Sequence, residues 1–200
     1  MRGFLRRPRR LSTVVVAAVT LGLAGPVVLG TSAAEAATCP CSIWTSTATP
    51  ATASDSDTSA VEVGVKFRSD VDGQVTALRF YKGTGNTGTH VGHLWNSGGT
   101  ALATATFTSE SATGWQQVNL TSPVTIAANT TYIASYYAPN GRYSTTNNGF
   151  AGSVDNAPLH ALADGVDGGN GVYRYGTGGV FPTNTFQSTN YWVDLVFQTS

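Results

Sequence analysis

The stretch Ala60-Val61-Glu62-Val63-Gly64-Val65-Lys66-Phe67-Arg68 decides the fold class. Val61, Val63, Val65 and Phe67 fall on one side of an extended chain. Glu62, Gly64, Lys66 and Arg68 fall on the other. This period of two describes a strand with one face in a core and one in water. Outward from it, Ser69 to Gly73 makes a turn, and residues 74–82 form a second strand with Leu78 and Phe80 opposite Arg79 and Tyr81. Further strands are expected at 90–95, 100–108, 115–120, 123–126, 131–138 and 191–198. A turn at Asn96-Ser97-Gly98-Gly99 joins two of them. About eight short strands without a helical period argue an all-β chain, a single antiparallel β-sandwich of jelly-roll type. The last strand, 191–198, is expected beside the first.

The first 36 residues read differently. Arg2, Arg6, Arg7, Arg9 and Arg10 precede an apolar run from Thr13 to Gly30, and Ala34-Glu35-Ala36 supplies small residues before a cut. That is the pattern of a cleaved signal peptide, residues 1–36, and implies a secreted, extracellular protein. Arg9-Arg10 also matches a twin-arginine export signal. Residues 37–59 are then an N-terminal arm and residues 60–200 the sandwich. Export of the leader removes five arginines and Glu35, which leaves six basic and ten acidic residues, a net of −4. Such a chain is poorly suited to nucleic acid or an anionic membrane surface. Cys39 and Cys41 stand one residue apart. A disulfide between them would fix the local shape of the arm and add little chain entropy. A free or intermolecular pair, and metal or redox work, are the alternatives. In the arm, Ile43 and Trp44 are read as docking it on the body, and Asp55 and Asp57 as the water-facing start of a strand.

Several motifs fail as catalytic signals. His90 and His93 lie three apart and on a strand would face opposite ways, so they cannot share an ion. The loop Gly83-Thr84-Gly85-Asn86-Thr87-Gly88 lacks the Lys-Ser/Thr ending of a phosphate loop. No G-x-S-x-G elbow is present, and Glu62 and Glu110 are the only glutamates after the leader.

The richest stretch runs from Tyr132 to Tyr175. Tyr137, Arg142, Tyr143, His160, Tyr173, Arg174 and Tyr175 combine rings for stacking with polar tips for hydroxyl groups, the design of a small-ligand site. Each tyrosine could instead be packing, and His160 could be structural, under Leu159 and Leu162. Asp164, Asp167 and Asn170 have the oxygen and glycine content of a Ca²⁺ loop without the spacing of an EF-hand, so a structural calcium is the one cofactor considered.

The segments CPCSIW (39–44), ASDSDTSAVEVGVKFRSD (53–70), RFYKGTGNTGTHVGHLW (79–95), TTYIASYYAPNGRY (130–143), DNAPLHAL (155–162), GGNGVYRYG (168–176) and NYWVDLVF (190–197) together resemble the domain of unknown function 4082 of secreted bacterial proteins. The resemblance covers roughly Cys39 to Gln198. It implies an all-β accessory module without catalytic appearance. The expected function is a secreted, non-catalytic binding module for extracellular polysaccharide or cell-wall glycan. A structural or adhesive surface protein is the alternative, and a hydrolase a lesser one.

Overall fold

In the computed structural model, which describes residues 39–199, the alternating stretch forms β1 (Val61–Ser69). The expected signal peptide, residues 1–36, lies outside the described residues. Val61, Val63, Val65 and Phe67 enter the core as their period requires. Then come β2 (Gly73–Lys82), β3 (Val91–Asn96), β4 (Ala101–Thr106), β5 (Gly114–Ile126) and β6 (Tyr132–Ala138). Four short strands follow, β7 (Val154–Asn156), β8 (Leu159–Ala161), β9 (Val172–Tyr175) and β10 (Asn184–Thr185), and β11 (Val193–Thr199) comes last. They form two antiparallel sheets packed face to face, an all-β sandwich. The larger runs β10-β9-β1-β6-β3-β4, with the β7–β8 hairpin joined through β8 to β1; the smaller runs β11-β2-β5.

Four expectations need correction. The last strand does not lie beside the first: β11 pairs with β2, setting Val193 opposite Phe80 and Leu195 opposite Leu78. Both edges of β1 are already taken, one by β6 and the other by β9 at its start and β8 at its end. Residues 115–126 are one strand, not two. Pro123 sits where Leu120 to Pro123 bulge out between the pairs Ala77–Asn119 and Val75–Val124. A proline without an N–H is tolerated there because β5 is an edge strand. The segment 154–175, where the sequence gives no expected strand, holds β7, β8 and β9; strands of three or four residues are too short to display a period.

The fourth correction concerns the face of β1 expected in water. Glu62 is buried. His93 Nδ1 meets Glu62 Oε1 at 2.8 Å, Ser135 Oγ donates to the same oxygen at 2.6 Å, and Trp95 Nε1 donates to Ser135 Oγ at 2.7 Å. Trp95, Ile133 and Val172 make a small second core there, closed by Phe181. Burial pushes the Glu62 carboxyl above its ordinary range, against the pull of His93 and Ser135. His90, by contrast, enters the main core against Phe80 and Tyr136, so the two histidines do take opposite faces.

The smaller sheet has a covered outer face too. Trp44 of the arm packs on Trp115, Phe150 and Trp192. Arg79 stacks over Trp115 at 4.6 Å and pairs with Asp194 at 3.0 Å. Asp194 Oδ1 accepts the Ile43 N–H at 2.8 Å, which hooks the arm to β11. One residue pair further out, Cys41 and Phe197 exchange two backbone hydrogen bonds of 2.8 Å. Cys39 and Cys41 are joined in a disulfide. The arm is therefore docked along its described length, as Ile43 and Trp44 lead one to expect.

Burial raises the Asp194 carboxyl to about 6, against the pull of Arg79 and the N–H donors. A carboxyl with a folded pKa above its unfolded value contributes stability while protonated, and loses it as pH rises through about 6. Arg79→Met leaves that carboxylate unpaired. The variant is expected to lose about 3–5 kcal/mol of unfolding free energy at pH 7 and distinctly less at pH 5, measured by urea denaturation.

Candidate functional site

The strand register builds the site. Tyr173 and Tyr175 lie opposite Val63 and Val61, so they point to the inner side of the larger sheet. β9 lies beyond β1 there, and its rings are only partly covered: Tyr173 is half-buried and Tyr175 is 51% exposed. Tyr143 and Tyr191 complete a row of rings. Tyr143 meets Tyr191 at 5.6 Å and 75°, Tyr191 meets Tyr173 at 6.3 Å and 67°, and Tyr173 meets Tyr175 at 5.6 Å and 72°. All are edge-to-face contacts, which suit the quadrupoles of the rings.

The arm supplies the acids. Thr52 and Thr145 exchange two backbone hydrogen bonds (2.9 and 2.8 Å), and the Asp55 N–H donates to the Tyr143 carbonyl at 2.8 Å. The chain then bends rather than extends. The Asp57 N–H donates to Asp55 Oδ1 at 3.0 Å, and the Ser59 N–H to Asp57 Oδ1 at 2.8 Å. These are successive Asx turns, so the strand start expected at Asp55 and Asp57 is not formed. The opposing loop comes very close at Gly141. Its φ is 61°, and a Cβ there would overlap the Asp57 carbonyl, which accepts the Arg142 N–H at 2.7 Å.

Asp57 Oδ2 then accepts two phenols, Tyr175 at 2.7 Å and Tyr143 at 3.1 Å. Burial works against the Asp57 charge, but the Ser59 N–H and the two hydroxyls outweigh it and hold the carboxyl below its ordinary range. Burial, with Tyr175 and Asp57 alongside, raises the Tyr143 phenol. The hydrogen bond to Asp57 and burial raise the Tyr175 phenol. Both hydroxyls stay protonated as donors. The result is a cleft of about 340 Å³ lined by Asp55, Tyr143, Thr145, Asn147, Tyr173, Tyr175, Phe186, Thr189 and Tyr191.

Of the residues expected at the site, Tyr143, Tyr173 and Tyr175 come together; the other four do not. Arg174 lies opposite Glu62, on the outer side of the sheet from its two tyrosine neighbours. Tyr137 also pairs with Glu62 and faces that outer side. Arg142 takes a left-handed conformation, φ 56°, and directs its guanidinium to the Asp55 carbonyl at 3.4 Å. His160 is a structural bridge. Its Nδ1 meets Asp155 Oδ1 at 2.7 Å and its Nε2 meets Asp70 Oδ2 at 2.8 Å, tying the β7–β8 hairpin to the β1–β2 turn.

Asp164 is tied to Asn170, and Asp167 to basic side chains. Asp164 Oδ1 accepts the Asn170 N–H, and the Asn170 side-chain oxygen accepts the N–H groups of Lys66 and Gly171, each at 2.8 Å. Asp167 pairs with Arg68 at 3.3 Å, and its carbonyl takes the Lys66 ammonium at 2.6 Å. The Lys66 ammonium thus stands at one carbonyl of the oxygen-rich turn.

Sequence reasoning missed Asp55, Asp57, Phe186 and Tyr191 as site residues. The S-D-S-D run at 54–57 carries a turn signal that identifies the bend. Tyr191 shares the inward period of Val193, Leu195 and Phe197. Nothing in the sequence marks Phe186.

A family model described as domain of unknown function 4082 matches residues 47–193, and the chain belongs to this family. No curated protein matches the chain.

The His160 bridge makes a testable pH dependence. Burial lowers its pKa, but Asp70 and Asp155 outweigh this and the imidazolium is favoured. The stability it contributes is complete below the unfolded value near 6.5 and fades as pH rises through the higher folded value. His160→Gln should cost up to about 1 kcal/mol at pH 5.5 and little at pH 9, measured by chemical denaturation at both pH values.

Proposed function

We propose that the protein is a secreted, non-catalytic module that binds extracellular glycan through the tyrosine cleft. One observation carries this reading. Of the large hydrophobic side chains exposed among the described residues, the two aromatic ones, Tyr175 and Phe186 at 51% and 55%, both line this cleft. Aromatic faces left in solvent beside fixed polar groups are what a sugar needs: its C–H face stacks on a ring and its hydroxyls find partners around it. Thr145, Asn147, Thr189 and Asp55 supply such partners at the wall. Binding is favoured over hydrolysis because the lining holds a single carboxylate, Asp55, whereas most glycosidases need two facing each other across the bond.

The test is retention on insoluble polysaccharides together with a glycan array. The protein should be retained on at least one glycan. Tyr175→Ala and Phe186→Ala should each weaken that binding by about threefold to tenfold, with the thermal midpoint nearly unchanged for the exposed Phe186. Silence across both panels overturns the reading.

A further inference from the structure

The same cleft has an electrostatic character that narrows its ligand. Its lining contains one carboxylate and no basic side chain. Arg142 is close, with its guanidinium on the Asp55 backbone carbonyl, but is not among the lining side chains, and Arg174 stands on the far side of the sheet. Behind the rings, Asp57 draws the Tyr143 and Tyr175 hydroxyls to itself, which adds negative charge at their rear. Tyr143 and Tyr173 each stand at a steep angle to Tyr191, and the three rings line the cleft together with the exposed Tyr175. An aromatic face is the negative part of its quadrupole.

An anionic sugar would meet a carboxylate there with no basic side chain in the lining to offset it. A neutral sugar would use Asp55 only as a hydrogen-bond acceptor. A cation meets attraction from both the rings and the acid. We propose that the cleft seats an alkylammonium group, held against the Tyr143, Tyr173, Tyr175 and Tyr191 rings with Asp55 as counter-ion. An ammonium over such faces is attracted within about 6 Å of the ring centroid, and quaternary ammonium ions are the established ligands of aromatic cages. On a glycan, this chemistry comes from an unacetylated amino sugar or from a choline-type group attached to the chain. The inference rests on the binding reading of this cleft, yet needs only the ammonium to be correct.

Calorimetric titration of the protein at pH 5.5 tests it with two matched pairs. The first is choline against its neutral carbon isostere, 3,3-dimethylbutan-1-ol. The second is glucosamine oligomers against N-acetylglucosamine oligomers. The charged member of at least one pair should bind about threefold to thirtyfold more tightly than its neutral partner. Which pair shows the preference identifies the source of the ammonium. Asp55→Asn should reduce that preference, leaving the part that the rings supply. Asparagine keeps an oxygen that can accept the Asp57 N–H, so the Asx turn survives; an unchanged thermal midpoint verifies this. If the variant does not fold, the wild-type comparison decides alone. Parity of both pairs in the wild-type protein overturns the proposal, even when oligosaccharides bind. Choline binding without retention on any polysaccharide or array glycan supports it and overturns the glycan reading instead. No binding of any of the four overturns the proposal and leaves the glycan reading to the polysaccharide and array panels.

Discussion

Strand β1 has hydrogen-bonding neighbours on both edges, and most of the architecture depends on that. A strand inside a sheet must give every N–H and C=O a partner. β6 pairs one edge from Val61 to Phe67, and β9 and β8 divide the other. No edge is left for β11, which joins β2 in the opposite sheet. Because side chains alternate with a period of two, the β1–β9 register also decides which residues of β9 look inward. Tyr173 and Tyr175 do, and Arg174 does not. A slip of one residue would exchange them and place the arginine in the cleft.

The arm connects stability to the site. Its docking uses a charged pair almost without solvent, Arg79 and Asp194, with Asp194 also accepting the Ile43 N–H. Such a pair costs desolvation that its mutual attraction only partly offsets, so its worth lies in what it positions. It anchors the arm at Ile43, and Trp44 covers the outer face of the smaller sheet. The same segment then runs on to Thr52 and Thr145 and delivers Asp55 and Asp57 to the row of tyrosines. The segment that covers one sheet thus supplies the acid of the cleft.

The sandwich was legible because strands such as β1 and β2 alternate and show in the sequence which residues are core. The arm was legible in part, through two large apolar residues in a stretch otherwise short of them. The site was less so, for a physical reason. Its residues come from positions 55, 143, 173, 186 and 191, which local patterning cannot bring together. Grouping by nearness in sequence instead joined Tyr173, Arg174 and Tyr175, although adjacent strand residues face opposite ways. The wet face assigned to β1 failed similarly. Glu62 reads as a solvent residue, yet it is buried with His93 and Ser135 as its partners.

The pairing of two phenols on one carboxylate explains why the cleft uses tyrosine where phenylalanine would give the same stacking area. Tyr175 is half exposed, and a ring in that position would ordinarily sample several rotamers. Its hydroxyl is fixed to Asp57 at 2.7 Å, and Asp57 is fixed in turn by the Ser59 N–H and by Tyr143. A ligand that stacks on a ring already held in place loses less of its binding energy to ordering that ring. Asp57 therefore acts from behind the surface, through the orientation of Tyr143 and Tyr175, while Asp55 lies on the wall. The two acids of one short turn divide the work: one holds the rings and the other faces what lies between them.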